Sequence, residues 1–265
     1  MSTIAAPTKP PMIERRVAGV SRPGITRLTA VELRKMTDTR AGFWLLVTIG
    51  LGYVALAVIM LFAADPADLT FRNLFQMMMI PSGVLLPVLG ILAVTSEWTQ
   101  RTALTTFTLV PERSRVAVAK LLAAIALAVA SVAVSVAVAA AGNVVGSALF
   151  DGDGAWNLGG AILPLSLLAQ VINIVMGVAF GMLLMNSALA IVVYFMLPTV
   201  WGVVGQMVKA LQTPAQWLDL GVTMQPLLEG SMPGQAWAKL ATASAVWVLL
   251  PLAAGWTRLL RREVS

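Results

Sequence analysis

The side chains that usually carry enzyme chemistry are missing from this sequence. It has no His and no Cys, so it has no imidazole proton shuttle, thiolate nucleophile, disulfide or zinc–thiolate site. Among the charged residues that remain, one group stands out: Glu32, Lys35, Glu97, Arg101, Arg113, Arg115 and Lys120. Glu32 and Lys35 are three residues apart and share a helix face. The others fall in or beside "SEWTQRTALTTFTLVPERSRVAVAKLL", residues 96–122, which mixes Glu, Arg, Lys, Thr and Pro between two long apolar segments. Such a set can form ion pairs and dock a charged partner. It cannot assemble a general acid–base pair or a metal centre at membrane depth. A second set is neutral: Asn143, Gln170 and Asn173, with Met78 in a run of three methionines, Met77 to Met79. Amides inside apolar helices bond neighbouring helices or line a path for substrate, and both roles are open for these residues.

The elements that hold these residues are apolar. The chain of 265 residues is 58% hydrophobic and only 11% charged, against about 25% charged in a soluble domain. Uncharged runs extend from Ala41 to Ala64, Asn73 to Ser96, Leu121 to Phe150, Gly154 to Val208 and Leu240 to Thr257. A spanning helix needs about 20 such residues, so the run from Gly154 to Val208 must hold two. The break is expected at Met185 to Ser187. Six spans result, at about 42–63, 75–95, 117–148, 160–184, 187–208 and 240–257. The fold class is therefore an all-α integral membrane protein.

Charge sets the direction of the spans. Of 18 Lys and Arg, 15 fall in residues 1–40, 97–120 and 258–265. The intervening segments hold Asp65, Asp68, Asp151, Asp153, Asp219 and Glu229. The positive-inside rule places both termini in the cytoplasm. The net charge of +6 is then a topology signal, and nucleic acid is not an expected partner. Residues 1–23, rich in Pro, Ala, Thr and Arg, read as a disordered tail without the apolar core of a signal peptide. Residues 24–40 read as an amphipathic helix at the membrane interface, with Ile25, Leu28, Leu33 and Met36 on one side and Arg27, Arg34 and Asp38 on the other. Glu32 falls on the apolar side. It either snorkels or pairs with Lys35 or Arg115, or it forms a structural ion pair to the 97–120 loop.

No Asp, Glu, Lys or Arg falls well inside any span, so ion coupling at membrane depth is not expected. "GQAWAK", Gly234 to Lys239, lacks the second Gly and the Ser/Thr of a phosphate-binding loop. Any energy for transport must come from a partner. The 97–110 stretch has the makings of a short helix across the membrane base, with Ser96 as its N-cap, Glu97 in its first turn and Pro111 at its end. Such a helix, held on two spans, would act as a lever.

This stretch resembles the cytoplasmic loop of type-2 ATP-binding-cassette permeases. The matching positions are Glu97, Thr102 or Ala103, Leu109, Pro111, Arg115 with Arg113 nearby, and Lys120. The entry "VELRKMTDTRAGFWLL" resembles the family's opening at Glu32, Lys35, Met36 and Arg40, and the likeness covers roughly residues 25 to 262. One departure is Arg101, where the family has Gly before its Thr. The resemblance implies a 41–262 permease domain whose 97–110 coupling helix contacts a cytoplasmic ATPase through Glu97, Arg101, Thr102, Thr105, Arg113 and Arg115. It implies two ATPase copies, a second identical or homologous permease, and ATP with Mg bound by the partner rather than by this chain. It further implies an exporter of the bacterial inner membrane, moving a drug, antibiotic, peptide or lipid. The competing expectation is a non-transport membrane scaffold or assembly factor.

Overall fold

The structure is a computed structural model that describes residues 23–99, 112–157 and 159–261. All but the last residue of the expected tail at 1–23, and most of the expected coupling helix at 97–110, lie outside them. Six helices are long and apolar enough to cross a membrane, the number the apolar runs imply. No strand occurs among the described residues.

Helix α1 (Ile25–Asp38) is the amphipathic entry, with Leu28, Glu32 and Met36 on its buried face. Its end turns sharply. Thr39 is extended, and its hydroxyl caps the next helix by accepting from the Gly42 amide. A Cβ on Gly42 would lie 1.8 Å from the Met36 carbonyl oxygen, so only glycine lets the chain fold back this tightly. Thus α1 does not continue into the first span; it lies across its end.

The spans are α2 (Arg40–Ala63), α3 (Phe71–Thr99), α4 (Arg113–Leu149), α5 (Ile162–Leu184) and α6 (Ser187–Met207), then a composite sixth. The break between α5 and α6 is at the expected place: Met185 is left-handed at φ 51° and Asn186 caps α6 through the Leu189 amide. Helix α4 has 37 residues, about 55 Å at 1.5 Å per residue, so its ends extend beyond a hydrocarbon core of about 30 Å.

Helices α3 and α5 form the centre. Half or more of their apolar windows is buried, 50% and 56%, against 17% for α2 and 22% for α6. The cause is close backbone approach between small residues. A Cβ on Gly177 would sit 2.2 Å from the Pro87 carbonyl oxygen, one on Gly90 2.7 Å from that of Ile174, and one on Gly181 3.0 Å from that of Ile91. Pro81 and Pro87 both lie within α3, and each removes one bond from its ladder.

At the end of the bundle remote from α1, residues 150–157 fold over the start of α3. The Phe71 amide donates to the Ala155 carbonyl at 3.0 Å, and the Gly154 amide to that of Leu69 at 3.2 Å. Between spans five and six run two short helices, α7 (Gln212–Leu218) and α8 (Leu220–Leu228). Arg72 donates to the Glu229 carbonyl at 2.5 Å and Gln76 to that of Leu228 at 2.8 Å, so the C-terminus of α8 is tied to α3.

Two sequence expectations are corrected. Ser96 does not cap a new helix: α3 runs on through Ser96 and Glu97 to Thr99, because nothing in that stretch breaks a helix and Glu97 is anchored by two lysines. The sixth span starts before the expected residue 240, at "GQAWAKL". This stretch forms its first turns, where α9 (Gly234–Ser244) passes through a π-helical segment, Ala245–Leu249, into α10 (Leu250–Arg261).

Candidate functional site: a buried ion network at the basic end

Four charged side chains from three elements converge where α1 crosses the ends of α3 and α4. Lys120, one to two turns into α4, donates to Glu32 Oε2 at 2.6 Å and to the Ala93 carbonyl at 2.7 Å, and lies 3.1 Å from Glu97 Oε1. Lys35 donates to Glu32 Oε1 at 2.7 Å and to Glu97 Oε1 at 2.9 Å. The side chains of Lys120, Glu32 and Glu97 are 5%, 6% and 8% exposed, and that of Lys35 is 41% exposed. Two lysines and two glutamates sum to zero, which makes burial tolerable; any one of them alone would carry a large desolvation cost. Burial of Lys35 lowers its affinity for a proton, but hydrogen bonds and attraction from Glu32 and Glu97 prevail and hold its pKa above the ordinary 10.5.

Two arginines extend the tie. Arg115 donates to the Pro23 carbonyl at 2.7 Å, and Arg113 to that of Leu259 at 3.2 Å. The first turn of α4 therefore meets residues near both ends of the described chain. Arg258 bonds the Leu183 carbonyl, so the last helix is also held to the end of α5.

The network joins two readings of Glu32. It pairs with Lys35, as one reading has it, and reaches across to the 97–120 region, as the other has it. Its partner there is Lys120 and not Arg115. Sequence reading did not single out Lys120 as a partner; the available signal was its place as the last charge before the apolar run that opens at Leu121. Of the expected coupling residues, Glu97 is in the network, and Arg113 and Arg115 bond the chain's own carbonyls. Arg101, Thr102 and Thr105 lie outside the described residues.

The amides are placed deeper. Gln170 on α5 is 2% exposed and donates to Ser82 Oγ on α3 at 2.8 Å; its own Oε1 has no hydrogen-bond partner. The Ser82 hydroxyl also neighbours that of Tyr53 on α2, which bonds Ser131 on α4 at 2.7 Å. Polar groups thus join α2, α3, α4 and α5 within the bundle. Tyr53 and Ser82 were not singled out from sequence; a tyrosine inside a span, in a chain with two in all, was the signal available. Asn173 turns to another neighbour, accepting from Tyr194 on α6 at 3.5 Å. Gln170 and Asn173 therefore serve two different helix contacts. Asn143 is 1% exposed and donates to the Gly154 carbonyl at 3.1 Å. Met78 is fully buried in the apolar core. Among the described residues, no group of His, Cys, Asp and Glu could hold a metal ion.

A scan against protein-family models and a search of curated proteins both returned no match to this chain.

Proposed function

We propose that this chain is the permease subunit of an ATP-driven exporter of the type-2 ATP-binding-cassette class, in a bacterial inner membrane with both termini in the cytoplasm. The observation that carries this reading is the bonding of Glu97 and Lys120, which flank the 97–120 loop, into one network with α1. A push on that loop would reach α1, α3 and α4 together, as a coupling element requires. The partner ATPase, in two copies, would bind ATP and Mg. A second permease, identical or homologous, would complete the pathway. The apolar, amide-dotted spans suit a hydrophobic or amphipathic cargo: a drug, antibiotic, peptide or lipid.

The second reading is a membrane scaffold. Its support is that Gln170, Asn143 and Met78 are all engaged in packing within this chain, a pattern a scaffold also needs. The deciding experiment is a pull-down of the tagged chain from mild detergent, with mass spectrometry and an ATPase assay. A stoichiometric ATPase, with activity altered by replacing Arg101, supports the permease. No ATPase in detergent or nanodiscs supports the scaffold.

A further inference from the structure

We infer that the outer face of α1 binds the headgroups of anionic phospholipids. The ion network holds Glu32 and Lys35 against the bundle and thereby fixes which face of α1 looks away. That face carries Arg27, Val31 and Arg34, spaced as i, i+4 and i+7, so they form one row about 10 Å long. All three are exposed, Val31 at 45%. Among the described residues, the side chains of Arg27 and Arg34 have no ion-pair or hydrogen-bond partner, and neither does that of the exposed Arg40 at the start of α2. Their side chains are therefore available to a ligand. Asp38 shares the face and subtracts one charge; its carboxylate accepts from Thr37.

Depth comes from the aromatic pair next along the chain. Phe43 and Trp44 are 54% and 64% exposed, with rings edge to face at 5.7 Å. Exposed aromatics at the end of a spanning helix mark the level where acyl chains meet headgroups. Arg40 lies one turn outward of them, at the level of lipid phosphate. The fold-back at Gly42 keeps α1 beside that level and does not let it project away. An exposed valine between two free arginines suits the boundary between acyl chains and phosphates, where guanidinium groups bond phosphate oxygens and apolar atoms meet lipid. The inference rests on the membrane architecture and not on the transport reading, so the two fail separately.

The test is lipid retention by the purified full chain. It is incubated in micelles with equimolar phosphatidylglycerol and phosphatidylcholine, and the bound lipid is counted by native mass spectrometry. The wild type is expected to prefer phosphatidylglycerol. Each of Arg27→Gln, Arg34→Gln and Arg40→Gln is expected to lower that preference about five-fold. The triple Arg→Lys variant is expected to keep most of it, since charge is retained. The wild-type preference is expected to weaken in 0.5 M salt, as exposed charge pairs do, which gives a readout even if a Gln variant fails to fold. An unchanged preference in the triple Gln variant, or at high salt, overturns the proposal. Loss of preference on Lys209→Gln/Lys239→Gln instead places the lipid at the other end of the bundle and also overturns it. So does full displacement by inorganic phosphate, which would make the row a free-anion site. Loss of a co-purifying protein from the triple Gln variant with lipid preference unchanged overturns it in favour of a protein partner.

Discussion

Glu32 and Lys120, 88 residues apart in the chain, meet at 2.6 Å with both side chains almost fully buried. One stands on the helix that crosses the base, the other in the third span. Their bond ties those two elements together, and each charge has a further partner, Lys35 for Glu32 and Glu97 for Lys120. Lys120 completes its shell with Glu97 and the Ala93 carbonyl, so all three of its ammonium protons have an acceptor within reach.

Breaking this pair from one side is expected to be costly. Lys120→Met leaves Glu32 and Glu97 with only the half-exposed Lys35, and a stability loss of about 3 kcal/mol follows from uncompensated buried charge. Glu32→Gln alone leaves a surplus cation and also destabilises. Glu32→Gln/Lys120→Met removes one charge of each sign and is expected to cost less than the two singles added. Thermal unfolding of the four proteins in one detergent measures the coupling; additive losses would mean the two residues do not act as a pair.

The network also sets a pH dependence at the alkaline edge. Lys35 gains its carboxylate partners on folding and is held above its ordinary 10.5. A group whose folded pKa is raised stabilises fully below its unfolded value and loses that contribution as pH rises through the folded one. Wild-type melting temperature is therefore expected to fall as pH is taken beyond about 10.5, more steeply than that of Lys35→Met. Parallel curves for the two proteins between pH 8 and 12 would remove Lys35 from the account. Its partial exposure keeps the expected difference small, since solvent screens it.

Sequence alone located the spans because the bilayer demands unbroken apolar runs, and Asn186 with its polar neighbours announced the turn between spans four and five. It also places Glu32 on the apolar side of an amphipathic helix, where the structure buries it, and a charge there is the mark of the network. What it did not yield was the partner: Lys120 is a residue the apolar pattern treats as the edge of a span, and only the crossing of α1 over α4 brings it to Glu32. The start of the sixth span was misjudged for a related reason. Lys239 interrupts the apolar pattern without interrupting the helix, which starts at Gly234. Gln170 and Asn173, three residues apart, share a helix face, yet α3 and α6 flank α5 closely enough to take one amide each.

The crossing of α3 and α5 gives a paired glycine prediction. Gly177→Ala places a methyl 2.2 Å from the Pro87 carbonyl oxygen, where only backbone movement can relieve it, whereas a Cβ on Gly50 meets nothing within 4 Å. Alanine favours a helix interior over glycine by up to about 1 kcal/mol. Gly50→Ala is thus expected to be neutral or to raise the melting temperature, and Gly177→Ala to lower it despite the same gain in propensity. A Gly177→Ala protein as stable as wild type would show that the helices separate at that point at little cost.

Gln170 decides whether the amides pack or guide cargo. Its amide nitrogen bonds Ser82 Oγ and, at longer range, the Met79 carbonyl and sulfur, and its oxygen has no partner, so Gln170→Leu removes these bonds and one unsatisfied oxygen together. Hydrogen bonds between membrane helices average about 0.6 kcal/mol, and relief of the orphan oxygen offsets part of that. Stability is expected to change by less than about 1 kcal/mol. Asn173→Leu frees only the Tyr194 hydroxyl and is expected to behave likewise. On the proposed permease reading, ATPase activity in the assembled complex survives each substitution if both amides serve packing, the outcome that the bonds of Gln170 and Asn173 to neighbouring helices favour. A stable Gln170→Leu protein that lost cargo-stimulated ATPase activity would instead place the substrate path along α3 and α5, because a packing role cannot fail while the fold holds.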